Sequence, residues 1–237
     1  MPLDVSRIKA LCFDVDGTLS DTDDQFVQKL VRWLTPFRFL FPHKDPRPFA
    51  RKFVMATETP GNFLLGIPDR LGIDDEIAAL GDLIYRLGLG KNPEPFLLIS
   101  GVKEALIGLQ SHYKMSVVSA RGGRSTQLFL DQFELMPFFV SVATAQTCKH
   151  TKPYPDPILW AAEQMGVSPQ ECLMVGDTTV DILAARAAGA QSVGVLCGFG
   201  YEGELLNAGS DLILQSTALL PEKLLEASEN SKHSPKA

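Results

Sequence analysis

Phe13-Asp14-Val15-Asp16-Gly17-Thr18 is the stretch on which the fold turns. It closes an apolar run that begins at Ile8, so two carboxylates stand at the exit of a strand of the kind buried on both faces. The glycine behind them frees the backbone to turn. Buried strands rarely spend two acids on packing, and a helix cap or a turn needs only one. A calcium loop of the EF-hand type is excluded by spacing, because the glycine stands fourth in the run from Asp14 and not sixth.

Outward from this run, short apolar segments alternate with helical patterns, the signature of an α/β fold with a parallel sheet flanked by helices. Five strands are expected, over 8–13, 115–119, 138–143, 172–175 and 192–196. About a hundred residues separate the first from the second, far more than a plain βαβ connection uses. The inserted segment reads as helical. Phe26, Leu30, Leu34 and Phe37 recur at helical spacing, as do Ile77, Leu80, Ile84 and Leu87. Its borders are the polar run Ser20-Asp21-Thr22-Asp23-Asp24, suited to a helix start, and Asn92-Pro93-Glu94-Pro95, which cannot continue a helix. The expected organisation is an α/β core over 1–20 and 96–227, a movable α-helical cap over 21–95, and a polar, disordered tail over 228–237.

Composition narrows the class. A chain of 237 residues with 45% hydrophobic and 21% charged side chains can build a sizeable core. A formal net charge of −6 provides no basic face for nucleic acid. No apolar run approaches the length of a membrane span, and the amino terminus lacks the pattern of a leader. The four cysteines, Cys12, Cys148, Cys172 and Cys197, are widely spaced and mostly lie in or beside apolar runs, which suits reduced thiols and a cytoplasmic protein.

Ligands of open α/β sheets gather at the carboxyl ends of the strands, so polar groups at the other exits carry the functional reading. Ser119 closes the second strand, and Ala120, Arg121, Gly122 and Gly123 follow it, offering a hydroxyl and free amides to a phosphate. Lys152 lies in Lys152-Pro153-Tyr154-Pro155-Asp156-Pro157, where prolines stiffen the segment that presents its ammonium and Asp156-Pro157 reads as cap and first residue of a helix. The fourth strand ends in Gly176-Asp177-Thr178-Thr179-Val180-Asp181, which places Asp177 at the exit and Asp181 one turn into the next helix.

These four motifs, in this order, resemble the haloacid dehalogenase superfamily, in its phosphoglycolate phosphatase-like branch with a helical cap inserted after the first motif. The resemblance runs from Ile8 to about Leu225. It implies a Rossmann-like core in which Asp14 attacks phosphorus and Asp16 protonates the leaving group, then activates water. Ser119 and Lys152 would hold the transferring phosphoryl group, with Thr18, Ala120 and Arg121 as further substrate contacts. Mg2+ would be bound by Asp14, the backbone carbonyl of Asp16, and Asp177, with Asp181 as a direct or indirect support. An all-oxygen site suits such a hard ion, and two carboxyl groups can divide nucleophilic and acid–base work. The expected substrate is a small phosphorylated metabolite, phosphoglycolate first, with oligomeric state open.

Other signals carry less. Gly198-Phe199-Gly200-Tyr201-Glu202-Gly203 matches a dinucleotide pattern but follows the last strand rather than the first, and the resemblance implies instead a loop beside the active site. His43, His112, His150 and His233 are scattered and read as surface residues. Trp33, Phe37, Phe39 and Phe41 read as a packed helical face. In the cap, Arg47, Arg51, Lys52, Thr57, Glu58 and Asn62 are the candidates for contacting substrate. A dehalogenase has no use for Asp16 and Asp177; a sugar phosphomutase keeps every motif and stays open as an alternative. A silent phosphate-binding module would be expected to have lost Asp14 or Asp16.

Overall fold

The computed structural model describes residues 3–21, 30–41, 44–47, 49 and 96–232. β1 (Ala10–Phe13), buried at every position, runs parallel between β2 (Lys114–Val118) and β4 (Cys172–Gly176). β3 (Ser141–Ala143) pairs outside β2, while β5 (Gln191–Val195) and β6 (Leu212–Leu214) continue beyond β4. The order is β3-β2-β1-β4-β5-β6. The chain thus winds away from β1 on one side and then returns to its other side, so the strand order reverses between β1 and β4. That reversal opens a crevice at the carboxyl ends, where the two Asp-bearing exits stand side by side.

The sheet alternates as a doubly covered sheet must. Leu11, Phe13, Leu173, Val175, Val193 and Val195 pack on one face with Leu106 and Leu109 of α1 (Val102–Leu109), Phe129 of α2 (Gly123–Gln132), and Leu220 and Leu224 of α6 (Leu220–Lys232). Cys12, Cys172 and Met174 pack on the other with Ile158, Ala161 and Met165 of α3 (Asp156–Met165) and Ala184 and Ala185 of α4 (Thr179–Ala188). Each leucine-sized side chain removed from water in these layers contributes about 1.5–3 kcal/mol. α5 (Glu202–Ala208) leads into β6. The four cysteines are free thiols, with Cys12 and Cys172 buried.

Several expectations need correction. The sheet has a sixth strand, Leu212–Leu214, too short to show a period of its own. The third strand starts at Ser141 because Met136–Phe138, with Pro137 inside, close a 3-10 turn instead. Asp156 is the first residue of α3, and Pro155 occupies the cap position. α6 continues to Lys232, into the segment expected to be disordered.

The chain leaves and re-enters the core through two paired linkers. Asp21 N–H donates to the Leu97 carbonyl at 2.9 Å and Ile99 N–H to the Leu19 carbonyl at 3.0 Å. Most of the expected cap, including the patterns from Phe26 and from Ile77, lies outside the described residues. Within its described part, Thr35–Leu40 form a 3-10 turn, Phe41 packs on Phe49 with ring centroids 5.3 Å apart, and Trp33, Phe37 and Phe39 are exposed rather than packed. No helix among the described residues is long and apolar enough to cross a membrane.

Candidate active site

Strand exits deliver Asp14, Asp16, Ser119 and Asp177, while Lys152 comes from the segment between β3 and α3 and Asp181 from the first turn of α4. Asp14 follows β1, and its backbone N–H donates to the Val175 carbonyl at 3.0 Å, so the nucleophile candidate is held in register with β4. Its carboxylate is buried, with Oδ1 2.7 Å from Lys152 Nζ. The same ammonium donates to Asp181 Oδ1 at 2.6 Å. Lys152 is followed by a cis peptide bond to Pro153.

Asp181 is fixed from its other side. Oδ2 accepts from the backbone N–H of Thr178 at 3.0 Å and from its hydroxyl at 2.7 Å, which closes a capping box at the start of α4. Asp177, fully buried, accepts at Oδ2 from the Phe199 N–H at 2.8 Å. Gly17 and Gly198 make that carboxylate possible. A methyl group at either would strike Asp177 Oδ2, and Gly17 also needs its positive φ of 69° to turn the chain back. The glycine pattern after β5 is therefore a wall of this site and not a cofactor loop.

Electrostatics follow from the burial. Asp14 is pushed up from 3.8 to about 7, chiefly by loss of water, against the pull of Lys152 and with added repulsion from Asp181 and Asp16. Burial alone would lower the Lys152 ammonium, but Asp14 and Asp181 outweigh it and hold it above the ordinary lysine range. Asp14, Asp177 and Asp181 each bring a carboxylate oxygen within 4.8 Å of the others. Three buried carboxylates around one ammonium leave an excess of negative charge that a hard cation would offset, and the donor set is all oxygen, so the residues fit a metal ion.

The β2 exit supplies the opposite wall. Ser119 is buried, and its Oγ accepts from the Arg121 backbone N–H at 3.1 Å. The Arg121 side chain forks onto Asp16, with Nε donating to Oδ2 at 3.0 Å and Nη2 to Oδ1. Its guanidinium carbon lies 5.2 Å from the Phe96 ring centroid and 5.9 Å from that of Phe129. Ala120 is exposed at this exit.

Of the expected catalytic and metal residues, Asp14, Lys152, Asp177 and Asp181 thus meet in one buried cluster, while Asp16 pairs with Arg121 and Ser119 stands at the neighbouring β2 exit. Thr18 stands elsewhere. It is fully buried, with Oγ1 3.4 Å from Asp177 Oδ1 and its carbonyl accepting from Thr217 at 2.7 Å, so it supports Asp177 from behind. Of the cap candidates, Arg47 is exposed beside Asp45, while Arg51, Lys52, Thr57, Glu58 and Asn62 lie outside the described residues. Sequence reading missed Thr178, Phe199, Phe96 and Phe129. Thr178 had a signal, since Thr-x-x-Asp is a capping pattern; for Phe199 the resemblance gave the loop's place beside the site but not the contact of its amide.

Comparison with known proteins agrees with this arrangement. A family model described as haloacid dehalogenase-like hydrolase matches residues 69–195. The phosphoglycolate phosphatase of Escherichia coli (strain K12) is 32% identical over 245 residues, covering 95% of this chain and 96% of that protein. Among solved structures, a hydrolase from Pseudomonas syringae shares the fold with a TM-score of 0.61 at 22% identity, over 92% of this chain and 98% of that one. A haloacid dehalogenase-superfamily hydrolase, subfamily IA, from Geobacter sulfurreducens PCA gives 0.57 at 23%, over 92% and 97%.

Proposed function

We propose that this chain, which belongs to the haloacid dehalogenase-like hydrolase family, is a magnesium-dependent phosphatase that passes the phosphoryl group of a small phosphomonoester to Asp14 and then to water. The observation that carries the reading is the buried cluster in which Lys152 Nζ lies 2.7 Å from Asp14 and 2.6 Å from Asp181, with Asp177 beside them. A carboxylate so placed can attack phosphorus, and the ammonium next to it can neutralise the incoming oxygens. In the first step a bond forms between an Asp14 oxygen and phosphorus while the bond to the leaving oxygen breaks, and Asp16, turned away from Arg121 and protonated, gives that oxygen its proton. In the second, Asp16 takes a proton from water, the water oxygen bonds to phosphorus, and the Asp14–phosphorus bond breaks to release phosphate.

Asp14, the Asp16 carbonyl and Asp177 would hold Mg2+, which when bound offsets repulsion between the nucleophile and the anionic ester. The phosphoglycolate phosphatases at 32% identity make phosphoglycolate the first substrate to try. Solved structures named as β-phosphoglucomutase candidates match at 20% and 22% identity, a level that bears on the fold alone. The test is phosphate release from a panel of small esters, with and without Mg2+, by the wild type and by Asp14→Asn. Metal-dependent release that the variant lacks supports the reading; equal release by both removes it.

A further inference from the structure

Lys152 meets Asp14 and Asp181 at the end of a long side chain, and its backbone belongs to neither a strand nor a helix. It lies between β3 and α3, in a tight turn closed by the Tyr154 N–H donating to the Thr151 carbonyl at 2.9 Å. His150 stands before that turn and Asp156 after it. His150 Nδ1 lies 3.1 Å from Asp156 Oδ1, and because a carboxylate only accepts, the ring nitrogen is the donor. The same ring lies against that of Tyr154, with centroids 4.8 Å apart. His150 is thus bound to two residues beyond Lys152 and closes the segment that carries it into a loop.

One end of this clamp is fixed. Asp156 opens α3, and Ile158, Ala161 and Met165 bury that helix against Cys12 and Met174 of the sheet, so a residue tied to Asp156 is tied to the strand that leads to Asp14. The side-chain anchors of Lys152 do not last through the reaction. Once an Asp14 oxygen has bonded to phosphorus, Asp14 is no longer a free carboxylate, and one of the two anions gripping the ammonium has gone. The backbone of Lys152 then needs a support that the chemistry leaves alone. The His150 and Asp156 side chains are 42% and 34% exposed, against 2% for Lys152. As an exposed pair they add little to folding, so what their contact contributes is the place of the turn.

We propose that His150 is a positioning residue, whose bond to Asp156 holds the turn from which Lys152 reaches the reacting phosphoryl group. The inference rests on the phosphatase reading and adds to it a residue that none of the four motifs contains. The experiment compares the wild type with His150→Ala and with His150→Asn, whose side-chain amide can set a donor where Nδ1 stands. With Mg2+ and 2-phosphoglycolate, His150→Ala should lower kcat about 10-fold and change KM less than about twofold, since a displacement of about 1 Å can cost roughly 10²-fold in the reacting geometry. His150→Asn should recover most of that loss, and the three proteins should unfold within about 2 °C of one another. A second measurement needs no turnover. Acetylation of Lys152 by an N-hydroxysuccinimide ester, followed by mass spectrometry, should be about 10-fold faster in His150→Ala than in the other two, because a loosened turn opens more often. Equal kcat in the wild type and His150→Ala, an equal loss in both variants, or an unchanged acetylation rate overturns the role. If the wild type releases phosphate from no ester of the panel, the phosphatase reading falls, and the acetylation rates alone decide whether His150 holds Lys152.

Discussion

On the β1/β4 side of the cleft, Asp14, Lys152, Asp177 and Asp181 are all buried, and each is bonded to another of the four or to a backbone amide. On the β1/β2 side, Asp16 and Arg121 pair with side chains that are 32% and 13% exposed, and part of the guanidinium's donor capacity is unused. The first side is a closed network in a region of low dielectric, where a change at one member leaves a charge uncompensated. The second can trade partners with solvent or ligand. The nucleophile and its counter-charge need fixed positions and belong on the first; Asp16, the proposed acid and base, sits on the second, where it can exchange Arg121 for the leaving oxygen or for water.

The largest effect tests the closed side directly. Asp14→Asn should reduce turnover by about 10⁴-fold or more, since it removes a nucleophile for which no neighbour can substitute. It should at the same time stabilise the metal-free protein. Asp14 is raised from 3.8 to about 7 in the folded state, so between those values the folded protein keeps a proton that the unfolded chain has released. The cost of the buried charge is absent below 3.8, grows as pH rises, and is complete above about 7. Thermal unfolding in a chelator should therefore show Asp14→Asn gaining about 1 kcal/mol, roughly 2–4 °C, at pH 8 and less at pH 5. A gain that shrinks with rising pH would refute the charge argument.

Lys152→Met should come next. Removing the ammonium leaves Asp14 and Asp181 facing each other without compensation, at a cost of about 3–5 kcal/mol at neutral pH by denaturant unfolding. Restoration of stability in Lys152→Met by added Asp181→Asn would show that the loss is charge and not packing. Gly198→Ala is smaller and more local. Its methyl would meet the Asp177 carboxylate and the Gly17 backbone, and Asp177 must give way. Metal affinity, read by the Mg2+ dependence of turnover, should weaken about 10–100-fold.

How far this division could be read from the sequence depends on how local each signal is. Asp14, Asp16, Asp177 and Asp181 were legible because each sits within a few residues of a strand exit, and an apolar run predicts an exit. The crevice between β1 and β4 was legible only as a consequence of fold class. What escaped depends on meetings across the chain. The Phe199 amide reaches Asp177, and Phe96 reaches Arg121, through contacts between segments 22 and 25 residues apart. No local pattern records such a pairing. The third strand's start and the β6 strand escaped for a different reason, since a run of three residues carries no period.

The smallest effects sharpen the comparison by asking each side to tolerate a mild change. Thr178→Ala removes the hydroxyl that donates to Asp181 at 2.7 Å but leaves the backbone donor at 3.0 Å. As a lost helix cap it should cost about 1 kcal/mol. On the closed side that loss should not stay structural: a looser Asp181 loosens Lys152, so kcat should fall while KM for the ester changes little. Arg121→Lys, on the open side, exchanges one part-exposed ion pair for another and should change stability by less than about 1 kcal/mol. Its effect should appear in turnover, through the partner of Asp16, rather than in unfolding. If Arg121→Lys proves as destabilising as Lys152→Met, the β1/β2 side is as closed as the other, and the division between fixed and exchangeable charge fails.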